Sequence, residues 1–334
     1  VRIHPLEPLA WYGEGYRYVP DPEPTPAKPA EPDANARPEW KSEVKGKRGL
    51  VCGRFLPLHR GHQFLIDFAR ARCKKLVIAV HKDQHDCIPQ AVRIGWLREL
   101  YPGCQVIGDS RFGSIDMVFS SEAAHQQLAT ELGARLVLCD PQRTVVPISA
   151  TRIRETPLLH WRYLPECVRP YYLKVVRLVG PEGSGKTSLC QRLANRFDTC
   201  FVPEYAVTLA ATNGGKLKKE QLAEWGQQHL AVRHGLERLA NRILFLDTDL
   251  LTVAHWGERL WGEAPPWIRK RRVTYDLTMI LEPVLDGLNP EQVRERQEMY
   301  EKWSGVEGVR LGGNWSEREA QAVAAVGQRW SELL

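Results

Sequence analysis

The stretch Gly180-Pro181-Glu182-Gly183-Ser184-Gly185-Lys186-Thr187 most narrows what this chain can fold into. It has the form G-x-x-x-x-G-K-[ST], follows the apolar run Val175-Val176-Arg177-Leu178-Val179 and opens a helix-forming segment. In that setting the glycines let backbone amides close around phosphate oxygens. Lys186 reaches the outer phosphates and the Thr187 hydroxyl suits Mg²⁺. Glu182, Gly183, Ser184, Gly185 and Ser188 belong to the same cradle. A strand feeding a glycine loop and then a helix is one unit of a parallel sheet covered by helices, which fixes the class as α/β.

The loop lies just past the middle of 334 residues, a length that suits two domains of ordinary size. Short apolar runs at 49–53, 76–80 and 135–139 alternate with helical patterns, the first of them a helix from His62 to about Cys73. The alternation restarts at 175–179 and continues at 243–246 and 277–281, with a Gln-, Glu- and Leu-rich helix over 218–240 between. Pro165 and Pro170 interrupt the segment between the halves, so a second domain is expected from residue 171. Seven prolines between residues 20 and 38 make that stretch an extended arm rather than part of a core. The expected organisation is therefore an arm over 1–47, one α/β domain over 48–170 and a second over 171–334.

Composition excludes several classes. No run approaches the roughly 18 apolar residues of a membrane helix. The net charge of +6 is scattered, with no basic arm that would favour nucleic acid, and suits small anionic substrates such as nucleotides equally well. Eight cysteines with no C-x-x-C spacing read as reduced thiols, and the expected compartment is the cytoplasm.

In the first half, Gly53-Arg54-Phe55-Leu56-Pro57-Leu58 leads into His59-Arg60-Gly61-His62. A strand end, a proline turn and two histidines opening a helix gather imidazoles and free amides at one point, which favours a phosphate. Alone, the pattern also fits a surface turn or a metal pair. Downstream, Ile148-Ser149-Ala150-Thr151-Arg152-Ile153-Arg154 sets two hydroxyls at a helix start with Arg154 one turn in. These groups suit polyphosphate oxygens, although Ser149 would serve as a helix cap in any case.

Taken together, His-x-Gly-His and Ile-Ser-x-Thr-x-x-Arg resemble the adenylyltransferase branch of the nucleotidyltransferase α/β-phosphodiesterase superfamily. The resemblance implies a basic contact from Arg93 and an adenosine-facing segment at Asp140-Pro141-Gln142-Arg143. In the second half, Asp247 and Asp249 follow the run 243–246, where a metal-binding acid or proton acceptor belongs, and a capping role fits one of the two equally. Glu204, in Pro203-Glu204-Tyr205, also follows an apolar run. An adenylyltransferase ahead of a P-loop kinase resembles the NadR family over about residues 48 to 334, through Phe119-Ser120-Ser121-Glu122, Tyr275-Asp276-Leu277 and Asp286-Gly287 as well.

That resemblance implies a Rossmann-like nucleotidyltransferase domain followed by a P-loop kinase domain. The implied reactions phosphorylate nicotinamide riboside to nicotinamide mononucleotide (NMN), then adenylylate NMN with a second ATP to give NAD and pyrophosphate. His59, His62 and Asp247 are the implied catalytic residues. Gly53, Arg54, Phe55, Arg93, Asp140, Arg143, Ser149, Thr151 and Arg154 would hold ATP and NMN in the first domain. Glu204, Asp247 and Asp249 would hold the riboside, with Thr187 and Asp247 on Mg²⁺. Relatives assemble as homo-oligomers. The alternatives are an adenylyltransferase with a degenerate kinase half, a non-catalytic NAD or ATP sensor, or a transferase for a different acceptor. Two departures stand out. Enteric relatives bear a helix-turn-helix at the amino end, where this sequence carries the Pro-rich arm, so a repressor role is not supported. Leu288 and Asn289 follow Asp286-Gly287 where relatives carry arginine, which leaves Arg294 or Arg296 to charge the lid.

Two further clusters carry less. His81 and His85, with Asp83, Asp86 and Cys87, hold metal-ligand types but follow a strand without helical periodicity. Trp256, Trp261 and Trp267 flank Arg269-Lys270-Arg271-Arg272 and could stack a nicotinamide ring, though large aromatics mostly serve cores.

Overall fold

The computed structural model describes residues 47–108, 111–212, 217–271 and 273–334. The Pro-rich arm and Arg272 lie outside the described residues. Two five-stranded sheets follow one another along the chain, and every strand pairing is parallel.

The first sheet is built from β1 (Arg48–Gly53), β2 (Lys75–Val80), β3 (Gln105–Ile107), β4 (Met117–Ser120) and β5 (Arg135–Leu138), in the spatial order β3-β2-β1-β4-β5. Its helices are α1 (Arg60–Arg70), α2 (Gln90–Leu100), α3 (Gln126–Glu131), α4 (Ala150–Glu155) and α5 (Arg169–Tyr172). The chain runs outward from β1 through β2 to β3, then returns to place β4 on β1's other side. That reversal opens a crevice beyond the carboxyl ends of β1 and β4, where α/β sheets receive ligands.

The second sheet comprises β6 (Lys174–Val179), β7 (Phe201–Val202), β8 (Ile243–Leu246), β9 (Leu277–Leu281) and β10 (Val309–Leu311), in the order β10-β9-β6-β8-β7. Around it lie α6 (Lys186–Arg196), α7 (Tyr205–Thr212), α8 (Leu222–Glu237), α9 (Leu250–Trp261), α10 (Pro266–Lys270), α11 (Pro290–Glu301) and α12 (Trp315–Arg329). Here β6 is central, and the chain departs from it to both sides.

Strands covered on both faces are apolar almost without interruption, as β8 shows: Ile243, Leu244, Phe245 and Leu246 are all fully buried. One contiguous core holds Val51 and Ile78 of the first sheet together with Val176 and Phe245 of the second. The halves are also joined by a bidentate ion pair from Arg238, just past α8, to Glu99 of α2. Among the described residues, no helix is long and apolar enough to cross a membrane.

Candidate active sites

The first crevice holds a cleft of about 540 Å³ at the switch point of the first sheet. Gly53, Arg54, Phe55, His59, His62, Asp140, Arg143, Ser149 and Thr151 all line it. His59 is the amino cap of α1: its Nδ1 accepts from the amides of Gly61, at 3.1 Å, and His62, at 3.4 Å. When neutral, the ring therefore carries its proton on Nε2. Gly61 between the histidines is required by space, since a Cβ there would meet His59 Cε1 at 2.9 Å. The two imidazoles stack with centroids 3.7 Å apart. Burial pushes the His59 pKa down to about 4, with help from the Arg143 cation. Burial lowers His62 strongly as well, and His59 and Arg143 add to the effect. His62 Nδ1 is buried without a hydrogen-bond partner. Two neutral rings are thus held in a cleft whose arginines attract anions.

The far wall comes from the ends of β4 and β5. Asp140 and Arg143 adopt positive φ, 48° and 54°, in a turn closed on the Asp140 carboxylate, which accepts from Thr144 N, Thr144 Oγ1 and Val145 N. Burial would raise the Asp140 pKa, but these hydrogen bonds hold it below the ordinary value. Arg143 pairs with Glu122 at 3.1 Å across the mouth. Ser149 caps α4 by accepting from Arg152 N.

Arg93 and Arg154 do not line the cleft. Arg93 is fully buried and bonds Asp86 at 2.6 Å, the carbonyl of His81 and that of Arg54. Arg154 donates to the Leu56 carbonyl and to Thr151 Oγ1. Both brace loops on which lining residues sit. Asp86, which also holds Arg54, is thereby committed to arginines rather than grouped with His81 and His85. Among the described residues, no group of three or more such side chains could hold a metal.

His81, whose segment the sequence offered as a metal-like cluster or a loop over this site, lines the cleft, as do Ser120 and His125, to which it assigned no role. Ser120 is buried, accepts from Glu122 N and shares a hydrogen bond of 2.9 Å with His125 Nδ1. Only position could have revealed them: each sits at or just beyond the end of a strand.

In the second half, the glycine loop connects β6 to α6. Gly183 and Gly185 have φ of 71° and 88°, a region that L side chains avoid. Lys186 Nζ donates to the carbonyls of Gly180 and Pro181, which folds it back over the loop. Thr187 Oγ1 donates to Asp247 Oδ2 at 2.6 Å, while Asp247 Oδ1 is buried and has no hydrogen-bond partner. Ser184 is buried beneath the loop; Glu182 and Ser188 are exposed.

Beside the loop lies an aromatic cavity of about 510 Å³, lined by Glu182, Lys186, Glu204, Trp225, Thr252, Trp256, Trp261 and Met299 among others. Burial raises the Asp247 pKa, against Thr187 and Lys186. Burial, and then the nearby Asp247 carboxylate, push Glu204 up to about 7. Of the tryptophan trio, Trp256 and Trp261 reach the cavity; Trp267 packs against Gly226 instead.

Asp249, like Asp247, is absent from the cavity lining. It caps α9, accepting from Thr252 N and Oγ1 at 2.7 Å each, and pairs with Arg177 at 2.6 Å, fully buried. Arg177 also donates to Thr278 and stacks on Tyr275. Asn289 caps α11 in a reciprocal pairing with Gln292. Arg296 lies against the glycine loop, where a Cβ on Gly183 would meet its guanidinium at 2.6 Å.

Comparison with known proteins agrees with this arrangement. The pattern of the AAA domain family matches residues 175–323. The chain is 29% identical to the "Trifunctional NAD biosynthesis/regulator protein NadR" of Escherichia coli (strain K12), with 72% of this chain and 71% of the relative covered. The protein of the same name from Salmonella typhimurium is 28% identical at the same coverage. Two solved structures share the fold. A NadR protein in complex with NR has a TM-score of 0.71 at 23% identity, covering 87% of this chain and 98% of that one. A NadR protein in complex with NAD and AMP-PNP has a TM-score of 0.67 at 21% identity, covering 85% and 96%. Both phosphate-binding motifs stand on parallel sheets, and the chain is similar to the NadR proteins over 72% of its length.

Proposed function

We propose that this chain makes NAD from nicotinamide riboside in two ATP-dependent steps, with residues 171–334 phosphorylating the riboside and residues 48–170 adenylylating the resulting NMN. The carrying observation is that one chain presents two distinct phosphate cradles. One is a stacked histidine pair at a switch point, and the other is a glycine loop beside an aromatic cavity that Glu182 and Glu204 help to line.

In the kinase half, Lys186 and the loop amides position the ATP phosphates. Trp256 and Trp225 offer apolar faces to the nicotinamide ring, and Glu204 accepts from the ribose hydroxyls. Thr187 and Asp247 fit Mg²⁺, because a hard cation takes oxygen donors and Asp247 retains a buried oxygen that nothing else satisfies. When bound, the ion neutralises phosphate charge. Asp247 also stands where it can accept the proton of the attacking 5′-hydroxyl.

In the transferase half, the NMN phosphate attacks the α-phosphorus of ATP and pyrophosphate leaves, so no covalent enzyme intermediate is needed. His59 donates through Nε2 to the transition-state oxygens, His62 lies alongside, and Arg54 and Arg143 draw in the anionic substrates. Arg93 and Arg154 act by fixing the loops. Eight free thiols suit a reducing compartment such as the cytoplasm.

The test supplies purified protein with ATP, Mg²⁺ and either riboside or NMN, and follows NAD by chromatography. NAD from both supports the two-step reading. NAD from NMN alone removes the kinase step, and NAD from neither overturns the assignment.

A further inference from the structure

Trp315 is the exposed tryptophan among the described residues, with 43% of its surface open to solvent. It is the first residue of α12 and lies directly on the glycine loop: a Cβ added to Gly185 would meet its ring at 2.2 Å. Its position is held firmly. Asn314 and Glu317 cap the helix reciprocally, at 2.8 and 3.1 Å. One turn on, the buried Arg318 donates to the carbonyls of Gly313, Ser184 and Glu282, binding the start of α12 to the loop and to the end of β9.

The sheet order says what approaches from this side. The aromatic cavity is lined by the loop, α6 to α9, the segment before α8 and α11, and by nothing from α12. Glu204, Thr252 and Trp256 in its wall follow β7 and β8, on one side of the central β6, whereas α12 follows β10 at the opposite edge. In-line phosphoryl transfer sets the acceptor and the remainder of the donor on opposite sides of the transferred group. With the acceptor in the cavity and the phosphates on the loop, the donor's nucleoside leaves toward β10.

We propose that Trp315 is the platform on which the purine base of the phosphate donor stacks. Base stacking on an exposed aromatic needs no edge contacts and rewards a ring fixed in advance. This inference rests on the kinase reading above.

The test is the Trp315→Ala variant in riboside phosphorylation, with NAD formation from NMN as an internal control. KM for ATP should rise roughly tenfold, within the range that loss of one base–aromatic stack spans. The kcat should stay within about twofold, and Trp315→Phe should restore KM. Inhibition by tripolyphosphate, which has phosphates and no base, should be unaltered. An unchanged KM overturns the proposal. So does parallel weakening of ATP and tripolyphosphate, which would mean that the ring only props the loop. If the wild type phosphorylates no riboside, the kinase reading fails by itself. The platform is then judged by titrating ADP binding that tripolyphosphate displaces: weaker binding in Trp315→Ala supports it, and equal binding refutes it.

Discussion

At the scale of single residues, the fold has moved the ionisation of groups in both sites. His59 is pushed down to about 4, so at neutral pH its ring is neutral with the proton on Nε2, the form that donates in the proposed transfer. Anionic phosphates beside it would favour the charged form. We expect an NMR titration of the free protein to show a His59 inflection near pH 4 and a rise of at least one unit when a non-hydrolysable ATP analogue binds. An inflection near 6.5 in the free protein would contradict the buried, capping placement. Glu204 moves the opposite way, to about 7, so it is ionised, and able to accept from ribose hydroxyls, only as pH rises through 7. The kcat/KM for riboside should therefore climb through pH 7, and Glu204→Gln should flatten that limb and lower activity about tenfold or more. Of these residues the motif-borne ones were legible in the sequence, since His-x-Gly-His and the glycine loop fix backbone geometry as well as side chains. Asp247 was set apart as catalytic only through the resemblance; from the residues alone it and Asp249 were not separable. They sit two apart after one strand, and only the packed structure shows Asp247 bonding Thr187 while Asp249 turns to cap α9.

At the scale of elements, two buried ion pairs hold the sites in register. Arg93 ties α2 to the loops behind the first cleft, and Arg177 of β6 ties the start of α9 to β9 through Asp249 and Thr278. Removing one partner of such a pair strands a charge out of water, which costs about 3–5 kcal/mol, whereas replacing both with apolar groups is often neutral. Urea denaturation of Arg177→Met should show a loss in that range, and Arg177→Met combined with Asp249→Leu a smaller one. Equal losses would mean that the pair is not the unit of stability. The long strands were readable because strands buried on both faces are continuously apolar. β3 and β10 were not, since three residues carry no periodicity. Arg93, read as a substrate contact, sits inside Val92-Arg93-Ile94, where an arginine in apolar company signals burial with a partner. That the partner is Asp86, in a preceding loop, depends on tertiary structure.

At the scale of the molecule, two parallel sheets of different strand order bring two phosphate-binding motifs onto one chain, and in the proposed reading the product of the second half is the substrate of the first. The division into halves was legible from the restart of strand–helix alternation near residue 171. The bidentate Arg238–Glu99 link and the shared core were not, because contacts so distant in sequence leave no local signal. In the proposed reading the two sites perform consecutive and separable steps. The most direct measurement supplies nicotinamide riboside, ATP and Mg²⁺ to His59→Ala and to Lys186→Ala and resolves the products by chromatography. His59→Ala should accumulate NMN with NAD reduced at least a hundredfold; Lys186→Ala should make nothing from the riboside yet convert added NMN to NAD at the wild-type rate. NAD from riboside in Lys186→Ala, or loss of both steps in either variant despite intact folding, would contradict it.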